Sequence, residues 1–223
     1  MALTSVIGLI SSYSSLLIPV LFWYRRHQRL NWETRLLLVY AFFVFGTDRL
    51  RDLIDPAVLP GIFSFVFTVT EYGLLALLLF LLLSRKRNRK WVVAGSLLFA
   101  AMAVLAFIHS ESIPFSSLHG IEAILLISYI FLYLLEWIMT ETFEPIDGRP
   151  EFWMVTGCLL YLAGNFFYYI AIEEQGIHGM LVHYLVNMLR NACFITAIIQ
   201  TYQKEQVKDE VRLEGSGNPV RPL

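Results

Sequence analysis

Seven apolar runs of roughly 20 residues each leave this chain few folds to adopt. They cover about 4–24, 34–54, 61–83, 91–109, 115–138, 152–172 and 178–201. About 20 consecutive apolar residues make a helix long enough to cross a bilayer. The chain is 57% hydrophobic and only 16% charged, where a soluble domain carries nearer a quarter charged residues. The expectation is therefore an all-α bundle of seven transmembrane helices. The second run is the weakest of the seven. Its clean apolar part is Leu36–Phe45, followed by Gly46-Thr47-Asp48-Arg49-Leu50-Arg51-Asp52.

Counting that run as a span puts all the basic loops on one side. Arg25, Arg26, Arg29 and Arg35 lie in the first loop, and Arg85, Lys86, Arg87, Arg89 and Lys90 in the third. Arg149 follows in the fifth, and Lys204, Lys208, Arg212 and Arg221 in the tail. Of the opposite connections, the one after the second run holds Arg49 and Arg51, while 110–114 and 173–177 hold no basic residue. The positive-inside rule then sets the N-terminus outside and the C-terminus in the cytoplasm of a multi-pass cell-membrane protein. Trp23, Trp32, Trp91, Trp137 and Trp153 fall at the cytoplasmic ends of spans or in a cytoplasmic loop, as an aromatic belt requires. A topology signal accounts for every charge of the run Arg85–Lys90, so no nucleic-acid partner is expected.

Arg25-Arg26 follow the first apolar run and no basic region precedes it, so that run reads as a retained span. Cys158 and Cys193 lie within spans with neither a disulfide nor a zinc spacing, and read as small core residues. Connections between spans are too short for a further folded unit. The chain divides into a membrane domain, 1–202, and a cytoplasmic tail, 203–223. The first half of the tail is expected to extend the last helix, and the rest to be disordered.

Ionisable groups in hydrocarbon are costly and by default mark function. At about 1.5 Å per residue, Asp48, Glu71, Glu122, Asn165, His183 and Asn187 all come out about 8–15 Å below the outer edge. Helical spacing puts Ser64, Thr68 and Glu71 on one stripe of the third span. His119, Glu122, Tyr129 and Tyr133 share a stripe of the fifth, and Gly157, Tyr161, Asn165 and Tyr168 one of the sixth. His183, Asn187 and Asn191 repeat every fourth residue on the seventh, with Arg190 beside them. The fourth span has nothing comparable except His109 at its outer end and belongs at the margin. The candidate ligand-binding residues are therefore Glu71, Glu122, Asn165, His183, Asn187, Tyr161, Asp48 and Arg49, converging on one outer-half cavity.

Each has a structural reading as well. Asp48, Arg49, Arg51 and Asp52 can pair at the outer rim, and the asparagines can join helices by hydrogen bonds. Glu71 is harder to explain that way, since no basic residue lies within one helical turn of it. Glu71, Glu122 and His183 together offer a zinc or iron ligand set, although no His-Glu-x-x-His spacing supports it. The same groups can run acid–base chemistry. No Gly-x-Ser-x-Gly elbow is present. Retinal is disfavoured, because a Schiff base needs a lysine within a span. The lysines are Lys86, Lys90, Lys204 and Lys208, all in loop or tail.

A wider pattern joins these residues. Glu71, Glu122, Phe152-Trp153, Gly157, Tyr161, Gly164-Asn165, then His183, Asn187 and Asn191 at fourfold spacing, resembles a largely uncharacterised group of small seven-span bacterial membrane proteins. The likeness is carried mainly by residues 150–195. Members often accompany two-component histidine kinases. The resemblance implies a bacterial inner-membrane location, a role in signal transduction and a separate histidine kinase as partner. It transfers no catalytic residue. Three functions fit the residues: a sensor or signalling accessory binding a small ligand, an intramembrane hydrolase acting on a lipid, and a proton-coupled transporter.

Overall fold

Large apolar side chains cover the outside of this molecule and polar ones fill its middle. Leu97 is 68% exposed and Ile108 65%, and Val104, Phe107, Ile124 and Phe131 are exposed as well. Buried within are Ser11, Ser15, Thr68, Glu71, His119, Glu122, Glu136, Asn165, Arg190 and Asn191. A water-soluble domain avoids broad apolar patches on its surface. The reversed arrangement suits a lipid surround, where apolar surface costs nothing and polar groups must find partners inside.

The structure is a computed structural model. It describes residues 2–24, 31–53, 60–109, 116–139 and 148–215, without the side chains of 2–5, 51–53, 60, 61, 116, 167–180 and 208–215. The described residues form seven helices and no strand: α1 Ala2–Ser14, α2 Leu17–Tyr24, α3 Trp32–Leu53, α4 Pro60–Leu82, α5 Lys86–Ile108, α6 Ser116–Ile138 and α7 Pro150–Gly215. Five segments are long and apolar enough to cross a membrane: Val6–Tyr24, Ile62–Leu82, Lys86–Ile108, Ser117–Ile138 and Leu181–Val207. The all-α expectation holds; of the seven expected spans, the run 34–54 in α3, which carries several charges, and the run 152–172 in α7 are not among these five.

Local chemistry explains the element ends. Pro19 has no N–H to offer the Ser15 carbonyl four residues back, so the first apolar segment breaks between α1 and α2. Ser14 and Ser15 hydroxyls donate to the carbonyls of Ser11 and Ser12, each at 2.6 Å, and hold the bend. Asn31 caps α3: its Oδ1 accepts from the Thr34 backbone N–H at 3.1 Å and from the Thr34 hydroxyl at 2.5 Å. The α5 helix starts at Lys86, inside the basic run expected to be a loop.

The α7 element is not one rod. A straight helix would set Asn165 and His183 about 27 Å apart at 1.5 Å per residue. Their side chains instead meet at 2.8 Å. A Cβ on Gly164 would lie 2.4 Å from Val186, and one on Gly157 2.8 Å from Phe194. The chain therefore reverses between Phe166 and Leu181, and two antiparallel arms pack through the glycines at 157 and 164. Small residues let helix backbones approach this closely.

Around this hairpin, the second arm meets α1 through a bond from the Ser11 hydroxyl to the Tyr184 carbonyl, 3.2 Å. The α6 helix packs on α4, α5 and α7, while α5 packs chiefly on α4 and α6. This places α5 at the margin, as the lack of charged groups in 91–108 implies. A polar contact ties its middle in: the Tyr72 hydroxyl lies 3.1 Å from Ser96 and 3.0 Å from the Tyr129 hydroxyl. Gly95 makes room for that contact, since a Cβ there would lie 2.0 Å from the Tyr129 oxygen.

Candidate functional site

Arg190 is the largest fully buried side chain among the described residues, 1% exposed. It projects from the second arm of α7 into a network that also draws on α1, α3, α4 and the first arm. Its Nη1 donates to the Tyr40 hydroxyl at 2.9 Å, and Tyr40 in turn donates to Glu71 Oε1 at 2.8 Å. The Tyr161 hydroxyl donates to the same Glu71 oxygen at 2.7 Å. The guanidinium lies 4.4 Å from the Tyr161 ring centroid and 5.2 Å from that of Tyr40. Its Nε and Nη2 donate to Asn191 Oδ1, each at 3.2 Å. Asn191 then donates to the Ser14 hydroxyl at 2.7 Å, in the break between α1 and α2.

This is a cation and a carboxylate joined through a tyrosine. Glu71 sits halfway along α4 and is, like Arg190, buried, so both charges need partners from several helices. Asp48 lies two turns beyond Tyr40 on α3, near enough for its charge to act on both Glu71 and Arg190. Arg49, one residue on, stacks over Tyr13 at 4.6 Å and Phe45 at 5.5 Å. The pairing expected to include Arg51 and Asp52 falls on side chains outside the described residues.

Two further polar groups lie apart from this network. Between α4 and α6, His119 Nδ1 lies 3.0 Å from the Thr68 hydroxyl, which gives its own proton to the Ser64 carbonyl at 2.8 Å. His119 therefore donates there. Its Nδ1 is also 3.6 Å from Glu122 Oε2. Between the arms of α7, His183 Nδ1 donates to Asn165 Oδ1 at 2.8 Å, and His183 Nε2 accepts from Asn187 Nδ2 at 3.1 Å. The amide orientations follow from this pattern. Glu122 Oε1 and Asn187 Oδ1 are buried and have no hydrogen-bond partner among the described residues.

The expected site residues are all described, and they divide among three groups. Glu71 and Tyr161 meet directly, with Asp48 in electrostatic reach. Glu122 joins His119, and its carboxylate lies near enough for the charge of Glu71 to act on it. Asn165, His183 and Asn187 form their own cluster. The zinc or iron set of Glu71, Glu122 and His183 is not assembled: among the described residues no group of three His, Cys, Asp or Glu side chains is placed to hold a metal ion. Their separation has a cause. Tyr40 and Tyr161 hydroxyls take up Glu71 and the Asn165 and Asn187 amides take up His183, while Glu122 stays beside His119 of its own helix.

Sequence reasoning missed Tyr40 and gave Arg190 only a flanking place. Arg190 had a signal, as the one basic residue in 181–203. Tyr40 had a weaker one, lying eight residues before Asp48 on the same helical face. Glu136 was missed as well. It stands in the last turn of α6, buried, and serves the start of α5. Its Oε2 accepts from the Ser84 backbone N–H at 2.8 Å, and its Oε1 from that of Arg85 at 3.0 Å and from Asn88 Nδ2 at 2.8 Å. Arg85, the N-cap of α5, has no side-chain cap of its own. A carboxylate from the next helix thus accepts from the backbone leading into α5 and holds the turn from which the helix begins inside the basic run.

Replacing Glu136 with alanine is expected to cost about 2–4 kcal/mol, since three bonds to a charged acceptor are lost while water can reach part of the turn. Glutamine keeps the acceptor oxygen and should cost about half as much. Thermal unfolding in detergent micelles measures both. Equal stability of Glu136→Ala and the wild type would show that the cap does not hold the α4–α5 turn.

No family model matches the chain, and neither a curated protein nor a solved structure is detectably similar to it.

Proposed function

We propose that this chain is a seven-span membrane sensor or signalling accessory protein, with its N-terminus outside and its C-terminus in the cytoplasm. Six connections between seven spans leave every basic loop except the one with Arg49 and Arg51 on one side. The reversal within α7 supports the count, because it turns the last element into two membrane-length arms.

One observation carries the sensory reading. A buried network with a cation and a carboxylate joins α1, α3, α4 and both arms of α7. A small ligand that competes for Glu71 or Arg190 would act directly on the groups that hold five helical segments in register. Differential binding to two packings is what shifts an equilibrium between them. The cytoplasmic end of the second arm, continued by the tail, would pass that shift to a separate partner. The likeness to kinase-associated proteins makes a histidine kinase of the bacterial inner membrane the partner of choice.

The test has two arms. A reporter fused after Leu223 should be active only in the cytoplasm; activity outside overturns the topology. Deleting the chain in its native cell should change the phosphorylation of a histidine kinase pathway, and the intact chain should restore it. Lipid-ester hydrolysis by the purified protein alone would replace this reading with an enzyme. Proton flux into proteoliposomes would replace it with a transporter, which the unpartnered oxygen of Glu122 favours over hydrolysis.

A further inference from the structure

The outer face of α4 and α5 carries a groove that the polar core does not explain. It has a volume of about 390 Å3 and its walls are almost wholly apolar, formed by Phe80 of α4 and by Val93, Ala94 and Leu97 of α5. One end is ringed by Lys86, Arg89 and Lys90. On α5 these lining positions recur every three or four residues, so they form a single stripe with cations at one end and hydrocarbon at the other. Val93 and Leu97 are exposed, and α5 is the marginal helix of the bundle.

Two details show that the basic end is held in shape. Arg89 Nε donates to the Leu83 carbonyl at 2.7 Å, and its guanidinium lies over the Phe80 ring at 5.2 Å. The nearest acid on an adjoining helix, Glu136, is engaged by the Ser84 and Arg85 N–H groups and by Asn88. Among the described residues that line the groove, no carboxylate is present to neutralise the three cations.

We propose that this groove is a binding site for one anionic phospholipid. Its phosphate sits among Lys86, Arg89 and Lys90, and one acyl chain lies along Phe80, Val93, Ala94 and Leu97. The charge gradient along the stripe matches a lipid, with an anionic head at the membrane surface and hydrocarbon below it. Basic groups between helices at the membrane surface recognise such headgroups, whereas zwitterionic lipids gain little from them. The proposal rests on the membrane placement of α5 and is independent of topology and of the sensor reading.

The test uses the full chain, delipidated in detergent and titrated separately with dioleoylphosphatidylglycerol, dioleoylphosphatidylcholine and inorganic phosphate, with bound species counted by native mass spectrometry. The first phosphatidylglycerol should bind about tenfold more tightly than phosphatidylcholine, given the stabilisation that each nearby cation provides. Lys86→Gln/Lys90→Gln should abolish that preference. Ala94→Phe, which fills the apolar part, should weaken both lipids. Arg85→Gln/Arg87→Gln removes the same charge from the same turn outside the groove and should retain the preference. Equal affinity of the two lipids for the wild type overturns the proposal. So does loss of preference in the Arg85/Arg87 variant, which would mean diffuse attraction by the loop. Inorganic phosphate binding as tightly as the anionic lipid overturns it too, because the apolar groove would then contribute nothing.

Discussion

Arg190→Met is expected to lower the unfolding free energy by about 3–5 kcal/mol, the cost of leaving a buried carboxylate without the cation that compensates it through Tyr40. The comparison that gives this figure meaning is Tyr40→Phe. It removes the hydroxyl that links Arg190 to Glu71 and should cost about 1 kcal/mol, in line with the small worth of interhelical hydrogen bonds in bilayers. The two charges are also not equivalent. Without Glu71, Arg190 keeps two bonds to Asn191, one to Tyr40, two aromatic faces and the field of Asp48. Without Arg190, Glu71 keeps only two tyrosine hydroxyls and faces Asp48, a charge of its own sign. Removing the cation is therefore the worse change. Glu71→Gln introduced into the Arg190→Met protein should recover part of the loss, and urea unfolding in micelles for the four members of the cycle measures it. An Arg190→Met protein no less stable than Tyr40→Phe would show that the buried charges are not coupled.

The helices were legible in the sequence because length and hydropathy alone decide them, and the core less so. Glu71 and Tyr161 could be placed together from stripes facing one interior. The joining of Arg190 to Glu71 could not, because it runs through Tyr40, and a tyrosine in an apolar run looks like any other aromatic core residue. Depth counting put Glu122 and His183 at the level of Glu71, but depth does not fix azimuth. Thr68 and Asn165, one on the facing helix and one on the facing arm, drew His119 and His183 to separate interfaces. The start of α5 was misread for a related reason. A basic run after an apolar one reads as loop, and only the tertiary reach of Glu136 across from α6 explains the helix there. The break at Pro19 divides the run 4–24 that reads as one span, although local chemistry alone accounts for it.

Glu71→Gln is expected to leave a folded protein that has lost its response. The amide oxygen of glutamine still accepts from Tyr40 and Tyr161, and Arg190 retains its other partners, so the cost in stability should be about 1–2 kcal/mol. The charge is what changes. In the native network the carboxylate draws Tyr40, and through it Arg190, toward α4. A neutral amide removes that pull, and a ligand that works by competing for it would then find no difference between two packings to exploit. In cells, signalling output with Glu71→Gln should fall to the level of the deletion strain, while membrane abundance and unfolding temperature stay near those of the wild type. Tyr72→Phe is the control. It removes a buried hydroxyl of similar cost one residue away, in the tie to Ser96 and Tyr129, and should preserve the response. If both variants lose output equally, the effect is one of packing. If Glu71→Gln signals normally, the carboxylate is only a hydrogen-bonding strut, and the responsive element must lie with Glu122 or His183 instead.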